Sequence, residues 1–188
     1  VKRTFKPGSF RDKIVVIGAS TGGIDALLAV LSTFPEACPA TAIVQHTSRN
    51  SSDSLIQLLG RHCKPEIVAA SNGLALKPGR ICVAAGSGGH LELRPGSPPQ
   101  CVMRLGEPIS GHMPSVDVLF RSALPMAPQV VGVILTGMGQ DGAAGLMDLR
   151  RADCPTIGQD QATSIVYGMP RVAAGIGAVG VQLPIDRI

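Results

Sequence analysis

Aromatic residues are scarce in this chain. Of its 188 residues 3% are aromatic, with no tryptophan and a single tyrosine, Tyr167. Proteins that bind single-stranded nucleic acid usually stack the bases on aromatic side chains. The net charge of +4 is mild, and its lysines and arginines are scattered along the chain. The composition therefore predicts no nucleic-acid partner and a core built from Val, Ile, Leu and Ala.

The sequence also lacks the patterns of disulfide-bonded, metal-binding, secreted and membrane proteins. Its five cysteines are odd in number and no two form a Cys-x-x-Cys pair, so neither a disulfide framework nor a zinc site is predicted. It has no run of eighteen apolar residues and no signal-peptide pattern. We therefore expect no membrane insertion and a reducing, cytoplasmic location. The cysteines are Cys38, Cys63, Cys82, Cys101 and Cys154.

The length suits one domain with a buried core, since 45% of the residues are apolar and 16% are charged. The chain starts with Val1, and residues 1–12 are polar and contain glycine and proline. This composition predicts a linker over 1–12 that arrives from an upstream regulatory domain, followed by one folded domain over 13–188.

Short β-branched runs alternate with helical apolar spacing along the chain. Strands are predicted at 13–18, 42–45, 67–69, 80–85, 129–135, 156–158 and 179–183, helices at 24–34, 52–63, 114–124 and 143–151, and a hairpin at 91–93 and 101–104. This order predicts an α/β fold with a doubly wound, mostly parallel sheet flanked by helices and a β-hairpin insertion. In such sheets, functional groups lie beyond the carboxyl ends of the strands.

The first strand-to-helix turn reads GASTGG over residues 18–23 and matches the G-x-S-x-G nucleophile elbow. Its glycines allow a tight turn that presents the Ser20 hydroxyl above the helix N-terminus. The Thr21 amide would then be free to stabilise an oxyanion, because the first amides of a helix have no internal partner. The same turn also resembles the nucleotide-binding turn of short-chain dehydrogenases, and a purely structural glycine-rich turn is a third interpretation.

The rest of the chain favours the nucleophile over the nucleotide. A short-chain dehydrogenase needs a tyrosine with a lysine four positions later. Here the only tyrosine is Tyr167, close to the end of the chain, and position 171 is Arg171. A Gly-Lys-Ser or Gly-Lys-Thr phosphate loop is also absent. The first turn therefore predicts a serine nucleophile.

A serine nucleophile needs a base, and the chain has four histidines. His46 directly follows the second strand, so it is expected at the same edge of the sheet as Ser20. A histidine at a strand end is more often structural, and His112, just before a predicted helix, is the competing base. His90 begins the hairpin and His62 lies late in a surface helix.

Asp141 is the candidate for the acid that orients the base. It lies in the turn TGMGQDG (136–142), whose three glycines would let the backbone approach the site, and Met138 could offer a second oxyanion amide. Asp141 could instead simply cap the helix that follows, and Asp117 and Asp160 are rival acids. The order Ser, His, Asp differs from the Ser, Asp, His order of α/β-hydrolases, but different orders can reach the same geometry.

These motifs together resemble a known family, the catalytic domains of the chemotaxis protein-glutamate methylesterases, or CheB proteins. The similarity covers residues 13–183, and the segment containing LTGMGQDGA is its most specific part. The matching segments are IGASTGG (17–23), QH (45–46), GHMPSVDVLF (111–120), GVILTGMGQDGAAG (132–145) and QDQATSIVYGMPRVA (159–173).

The resemblance implies Ser20, His46 and Asp141 as nucleophile, base and acid, and the backbone of Thr21 and Met138 as oxyanion donors. It implies hydrolysis of glutamyl methyl esters on the cytoplasmic helices of chemoreceptors, with deamidation of receptor glutamines as a second activity. It also implies a phosphorylated receiver domain upstream. No metal and no organic cofactor is expected. The alternative is a non-catalytic signalling module of the same fold that binds a receptor or partner helix.

Two segments depart from the family pattern. Members commonly have Met-Pro after the base, where this chain has Thr47-Ser48. Members also have an aspartate two positions before the hairpin histidine, where this chain has Gly88 in the segment GSGGH (86–90). Both segments are expected to rim the substrate groove, so they bear on specificity more than on chemistry.

Overall fold

Seven parallel strands form the central sheet of the protein. The computed structural model describes residues 12–47, 52–86 and 88–188. The strands in chain order are β1 (Ile14–Ala19), β2 (Ala40–Gln45), β3 (Glu66–Ala69), β4 (Arg80–Ala85), β5 (His90–Arg94), β6 (Gln100–Arg104), β7 (Val130–Ile134), β8 (Thr156–Gln159) and β9 (Val181–Leu183). The helices are α1 (Gly23–Leu31), α2 (Ser52–His62), α3 (Val116–Ser122), α4 (Ala143–Arg151) and α5 (Met169–Gly175).

The sheet has the strand order β3-β4-β2-β1-β7-β8-β9, and every pairing in it is parallel. Strands β2, β3 and β4 lie on one side of β1, and strands β7, β8 and β9 lie on its other side. β5 and β6 form a separate antiparallel pair. The predicted doubly wound sheet with a hairpin insertion is therefore confirmed, and β1 and β7 flank the point where the winding reverses.

Helices cover both faces of the sheet, because alternate residues of each buried strand point to opposite sides. On one face, Val16 and Val44 belong to a core with α3, α4, α5 and the hairpin. On the other face, Ile17 and Ile43 belong to a core with α1 and α2. Phe120 of α3 is among the largest fully buried side chains. The aromatic-poor sequence thus builds both cores mainly from branched aliphatic residues.

The strand register brings three turns to one edge of the sheet. Ala19 lies opposite Gln45 between β1 and β2, and Gly18 lies opposite Ile134 between β1 and β7. The residues that follow these strands therefore leave the sheet side by side. They are Ser20 after β1, His46 after β2, and the segment from Leu135 after β7.

Three predictions about the elements need correction or remain open. The helix expected to open at Pro114 begins at Val116, because Ser115 forms its N-cap with extended backbone and a side chain that accepts from Val118 N. The sequence did not indicate α5, a seven-residue helix that starts at Met169 and ends at Gly175. The predicted linker over 1–12 lies outside the described residues except for Asp12, so it stays a prediction. Among the described residues, no helix combines the length and the apolarity needed to cross a bilayer.

Candidate active site

The turn after β1 holds Ser20 in a fixed backbone frame. The Ser20 amide donates to Thr136 O at 3.0 Å, and the Gly23 amide donates to Ser20 O at 2.8 Å. Gly22 adopts φ +77°, a left-handed conformation that glycine accepts without strain. Ser20 itself is not among the positive-φ residues of the described chain. The sharp change of direction therefore occurs at Gly22, two residues after the serine.

The turn after β7 approaches Ser20 so closely that a side chain would not fit there. A Cβ built on Gly137 would lie 2.7 Å from Ser20 Cβ and 2.3 Å from Met169 Sδ. The glycine-rich sequence after β7 had suggested such an approach. Position 137 is where this close approach requires a glycine.

His46 and Asp141 form a buried pair beside this turn. The His46 Nε2 atom lies 2.9 Å from Asp141 Oδ2, and the two side chains are 8% and 0% exposed. The His46 amide donates to Ala19 O at 3.0 Å, which places the histidine beside the residue that precedes Ser20. Within the described residues, His46 Nδ1 is buried without a hydrogen-bond partner. The pair thus leaves one ring nitrogen available for a reacting group.

The Asp141 carboxylate sits at the N-terminus of α3. Its Oδ1 accepts from Ser115 Oγ at 2.8 Å and from the Asp117 amide at 3.1 Å, and its Oδ2 accepts from the Val116 amide at 2.7 Å. Burial alone would raise the pKa of Asp141, but the hydrogen bonds from His46 and from the first turn of α3 outweigh burial and hold that pKa below its ordinary value. This carboxyl is therefore kept as an anion, as an acid that orients a base must be.

Asp141 does not act as the cap of the helix that follows it, which was the alternative interpretation. The N-cap of α4 is Gly142, with φ 91° and no side-chain cap bond. A Cβ on Gly142 would lie 2.5 Å from Val116 Cγ1. Gly142 thus lets α3 and its first turn come close to the carboxylate.

His112, the competing base of the sequence analysis, lies in the same site. Its ring stacks on the ring of His46 with a centroid separation of 3.8 Å and an interplanar angle of 8°. Its Nδ1 lies 2.9 Å from Ser110 O, a carbonyl that can only accept. His112 has no carboxylate partner of its own among the described residues. The structure therefore brings both candidate bases together, and of the two it is His46 that bonds to the Asp141 carboxylate.

Ligand atoms of His46, His112 and Asp141 all lie within 4.8 Å of one another. A metal ion bound by two imidazoles must lie near both ring planes, because each nitrogen lone pair lies in its ring. Two nearly parallel rings separated by 3.8 Å direct their lone pairs along parallel planes that do not meet. The stacked arrangement is therefore poorly suited to a shared metal ion.

Three of the four other candidates, His90, Asp117 and Asp160, have structural partners. His90 is buried and uses both ring nitrogens, since Nδ1 accepts from the Ser115 amide at 3.1 Å and Nε2 donates to Glu107 O at 3.0 Å. His62 is exposed at the end of α2. Asp117 accepts from the Gly145 amide at 2.7 Å. Asp160 accepts from the amide and hydroxyl of Thr163, at 2.9 and 2.7 Å.

Two residues that the sequence analysis did not single out hold the site together. The Gln45 side-chain amide donates to Ser20 O and to His46 O, each at 2.8 Å. The Thr136 hydroxyl donates to Thr21 O at 2.9 Å. A signal for Gln45 was present, because a glutamine that ends an apolar strand needs polar partners when buried. The signal for Thr136 was its place directly after a buried strand.

The backbone amides of Thr21 and Met138, the predicted oxyanion donors, make no hydrogen bond to another described residue. Met138 is 66% exposed at the rim of the site. A cavity of about 450 Å³ opens beside it, and its walls include Val166, Tyr167 and Arg171. The free Met138 amide beside this open cavity can donate a hydrogen bond to a ligand oxygen. Thr47, the first of the unusual residues after His46, is half-buried, and Ser48 lies outside the described residues.

Comparison with known proteins places the chain beside one group of enzymes. The family model for CheB methylesterase matches residues 15–188. A protein-glutamate methylesterase/protein-glutamine glutaminase from Rhizobium etli is 50% identical over 177 residues, which are 94% of this chain and 51% of that protein. A protein of the same name from Agrobacterium fabrum is 49% identical, over 94% of this chain and 50% of its own length. The chain thus spans about half the length of the curated relatives it matches.

The fold has a close counterpart among solved structures. The crystal structure of the Thermotoga maritima CheB methylesterase catalytic domain aligns with a TM-score of 0.89 at 29% sequence identity. The alignment covers 93% of this chain and 94% of that domain. The seven-stranded sheet and its flanking helices are therefore the fold of that domain.

Proposed function

Because the chain belongs to the CheB methylesterase family, we propose that it is a serine esterase that hydrolyses methyl esters of glutamyl side chains on chemotaxis-type receptors. The observation that carries the proposal is the buried His46–Asp141 pair, 2.9 Å apart, at the sheet edge where Ser20 follows β1. The same chemistry would deamidate receptor glutamines, with ammonia as the leaving group in place of methanol. Residues 13–188 form the catalytic domain in this proposal.

In the proposed reaction Ser20 is the nucleophile and His46 the base. His46 Nε2–H donates to Asp141 Oδ2, so the lone pair for proton transfer is on Nδ1. As Ser20 Oγ attacks the ester carbonyl, its proton moves to Nδ1, and the Asp141 carboxylate stabilises the imidazolium that results. In this proposal Nδ1 is the nitrogen that takes the proton, and Nε2 is the nitrogen that bonds to Asp141.

The negative charge that develops on the carbonyl oxygen is held by the backbone amides of Thr21 and Met138. Preorganised amides of this kind contribute about 10²–10³-fold each to catalysis. Collapse of the tetrahedral intermediate passes the proton from His46 Nδ1 to the leaving methoxide and releases methanol. Water that loses a proton to the same nitrogen then hydrolyses the acyl-enzyme, and Ser20 is regenerated.

The cavity beside Met138 is the proposed path for the polypeptide that carries the ester. It opens to solvent next to the oxyanion amide, and its walls combine apolar Val166 with Tyr167 and Arg171. Neither the nucleophile nor the base needs a metal or organic cofactor for these steps.

Methanol release from methylated receptor fragments tests the substrate. Labelling with a fluorophosphonate tests the nucleophile, because this reagent phosphonylates activated serines. We expect one label per chain, on Ser20, and none in Ser20→Ala. A non-catalytic module of the same fold would bind receptor helices but take up no label and release no methanol, and this pair of results would reject the proposal.

A further inference from the structure

The proposed reaction gives no role to His112, although this residue makes the closest aromatic contact in the site. Its ring covers one face of His46 at 3.8 Å and is within 8° of parallel to it. His112 is only half-buried, so its burial does not explain this arrangement. The contact restricts the orientation of the His46 ring, because the two rings lie face to face.

A histidine ring needs more than its own torsion to stay in place. The outer torsion of histidine is broad, with two shallow preferences. The hydrogen bond from His46 Nε2 to Asp141 fixes one edge of the ring. Within the described residues nothing bonds the opposite edge, since Nδ1 has no partner there. A flat contact against the face of the ring supplies the missing restraint on its plane.

His112 is itself held rigidly enough to provide that contact. Ile109 and His112 exchange backbone hydrogen bonds at 3.0 and 2.9 Å across a tight turn. Ser110 and Gly111 in this turn have φ 52° and 78°, the two positive values of a type I′ turn. The His112 Nδ1–H donates to Ser110 O at 2.9 Å and fixes the ring within the turn. The imidazole is thus anchored at its backbone and at its edge.

We propose that His112 is a positioning residue for the esterase reaction. Its ring holds the plane of His46 so that Nε2 stays directed at Asp141 while Nδ1 stays free to take the Ser20 proton. It also keeps water from one face of the base. It acts through His46 and does not touch the reacting atoms. The inference deepens the proposed function and rests on it.

Two substitutions separate the ring surface from everything else that His112 provides. His112→Ala removes the surface, whereas His112→Phe keeps a flat ring but loses the bond to Ser110 and any charge. A misplacement of about 1 Å in a reacting group can cost about 10²-fold in rate. We expect His112→Ala to lower kcat by about 10- to 100-fold with KM nearly unchanged, and His112→Phe to recover most of that loss. His62→Ala, an exposed histidine at the end of α2, should match the wild type.

The stack can also be measured without turnover. In proton NMR spectra the ring current of a stacked neighbour shifts the carbon-bound protons of the His46 ring upfield. The shift should persist in His112→Phe and vanish in His112→Ala, where the Nε2 proton bonded to Asp141 should also broaden by exchange. Thermal unfolding of each variant shows whether it is folded, and His112→Phe still tests the proposal if His112→Ala is not.

The outcomes separate the positioning role of His112 from the proposed esterase function. A wild-type protein that shows the ring-current shift but releases no methanol would remove the proposed function and leave the stack established. A normal kcat in folded His112→Ala would overturn the positioning role. So would a His112→Phe variant that keeps the shift yet is as slow as His112→Ala.

Discussion

Asp117 and Asp141 connect helices α3 and α4 through two hydrogen bonds, one accepted by each carboxylate. Asp141, just before α4, accepts from the Asp117 amide in α3 at 3.1 Å. Asp117 accepts from the Gly145 amide in α4 at 2.7 Å. Gly145 lets the helices approach, because a Cβ there would lie 2.9 Å from Phe120 Cβ. The acid of the proposed triad is therefore part of the packing between α3 and α4.

The two carboxyl groups contribute to the stability of the fold with opposite pH dependence. Burial raises the pKa of Asp117, and the negative charge of Asp141 adds to this. A raised pKa means that the folded protein gains stability from Asp117 at low pH and loses it as pH rises from about 3.9, the unfolded value, through the raised one. Asp141 has a lowered pKa, so its contribution is present above about 3.9 and is lost as pH falls through the lowered value.

Asp117→Asn should therefore change the pH dependence of stability. An asparagine keeps an acceptor for Gly145 but has no charge to bury. We expect the free energy of unfolding of this variant to rise relative to that of the wild type as pH rises above about 4, because only the wild type must then bury a charge at position 117. Urea unfolding between pH 3 and 8 measures this. The exposed Asp186→Asn is the matched control, and parallel curves for Asp117→Asn and wild type would contradict the assignment.

The triad prediction concerns turnover. Ser20→Ala, His46→Ala and Asp141→Asn should each lower kcat/KM for methanol release by about 10⁴-fold or more, and the Ser20→Ala/His46→Ala double variant should lose no more than the worse single one. Asp141→Asn should also melt at a lower temperature, because the α3 amides lose a charged acceptor. Near-normal turnover in Ser20→Ala would mean that another residue is the nucleophile.

Gly22 is predicted to be intolerant of alanine for two reasons that can be separated. Its φ of +77° strains any L-residue, and a Cβ would lie 2.6 Å from Ile165 Cβ. We expect Gly22→Ala to lower kcat by about 10²-fold through displacement of the Thr21 amide, the effect of losing one oxyanion donor. Gly73→Ala has the same φ of +77° with nothing within 4 Å, so it should cost stability without changing kcat.

The fold was largely predictable because its central strands are short runs rich in branched residues and largely buried. β7 was expected over 129–135 and is formed by Val130–Ile134, and α4 was expected at 143–151 and has these bounds. The doubly wound, parallel arrangement then followed from the rule that parallel strands need crossover helices, whereas the order of the strands was not predicted. The short α5 escaped because Gly168, Pro170 and Gly175 obscure the helical spacing.

The positions of the candidate site residues were predictable where they depend on local sequence and not where they depend on distant side chains. G-x-S-x-G and the glycines before Asp141 mark strand ends, and parallel strands end at a common edge. Ser115 could not be recognised in this way. Its hydroxyl donates to Asp141, 26 positions away, and its amide donates to His90, 25 positions away. No periodicity connects residues so far apart.

The last prediction concerns Gln45, which joins the nucleophile to the base. Its side-chain amide donates to the carbonyls of Ser20 and His46, both at 2.8 Å. Gln45→Met keeps the length of the side chain but removes this donor from both carbonyls. Ser20 O keeps the Gly23 amide, whereas His46 O loses its Gln45 donor, and a buried unsatisfied group costs about 1–3 kcal/mol. We expect a loss of stability of that size.

Since the two carbonyls belong to residues that must stay within reach of each other, we also expect a fall in kcat of about 10-fold or more with little change in KM. Gln129→Met, an exposed glutamine just before β7, controls for the substitution itself. If Gln45→Met lost stability but kept its kcat, the amide would serve the fold alone. The relative placement of Ser20 and His46 would then depend on the hydrogen bond from the His46 amide to Ala19 O and on the pairing of β1 with β2.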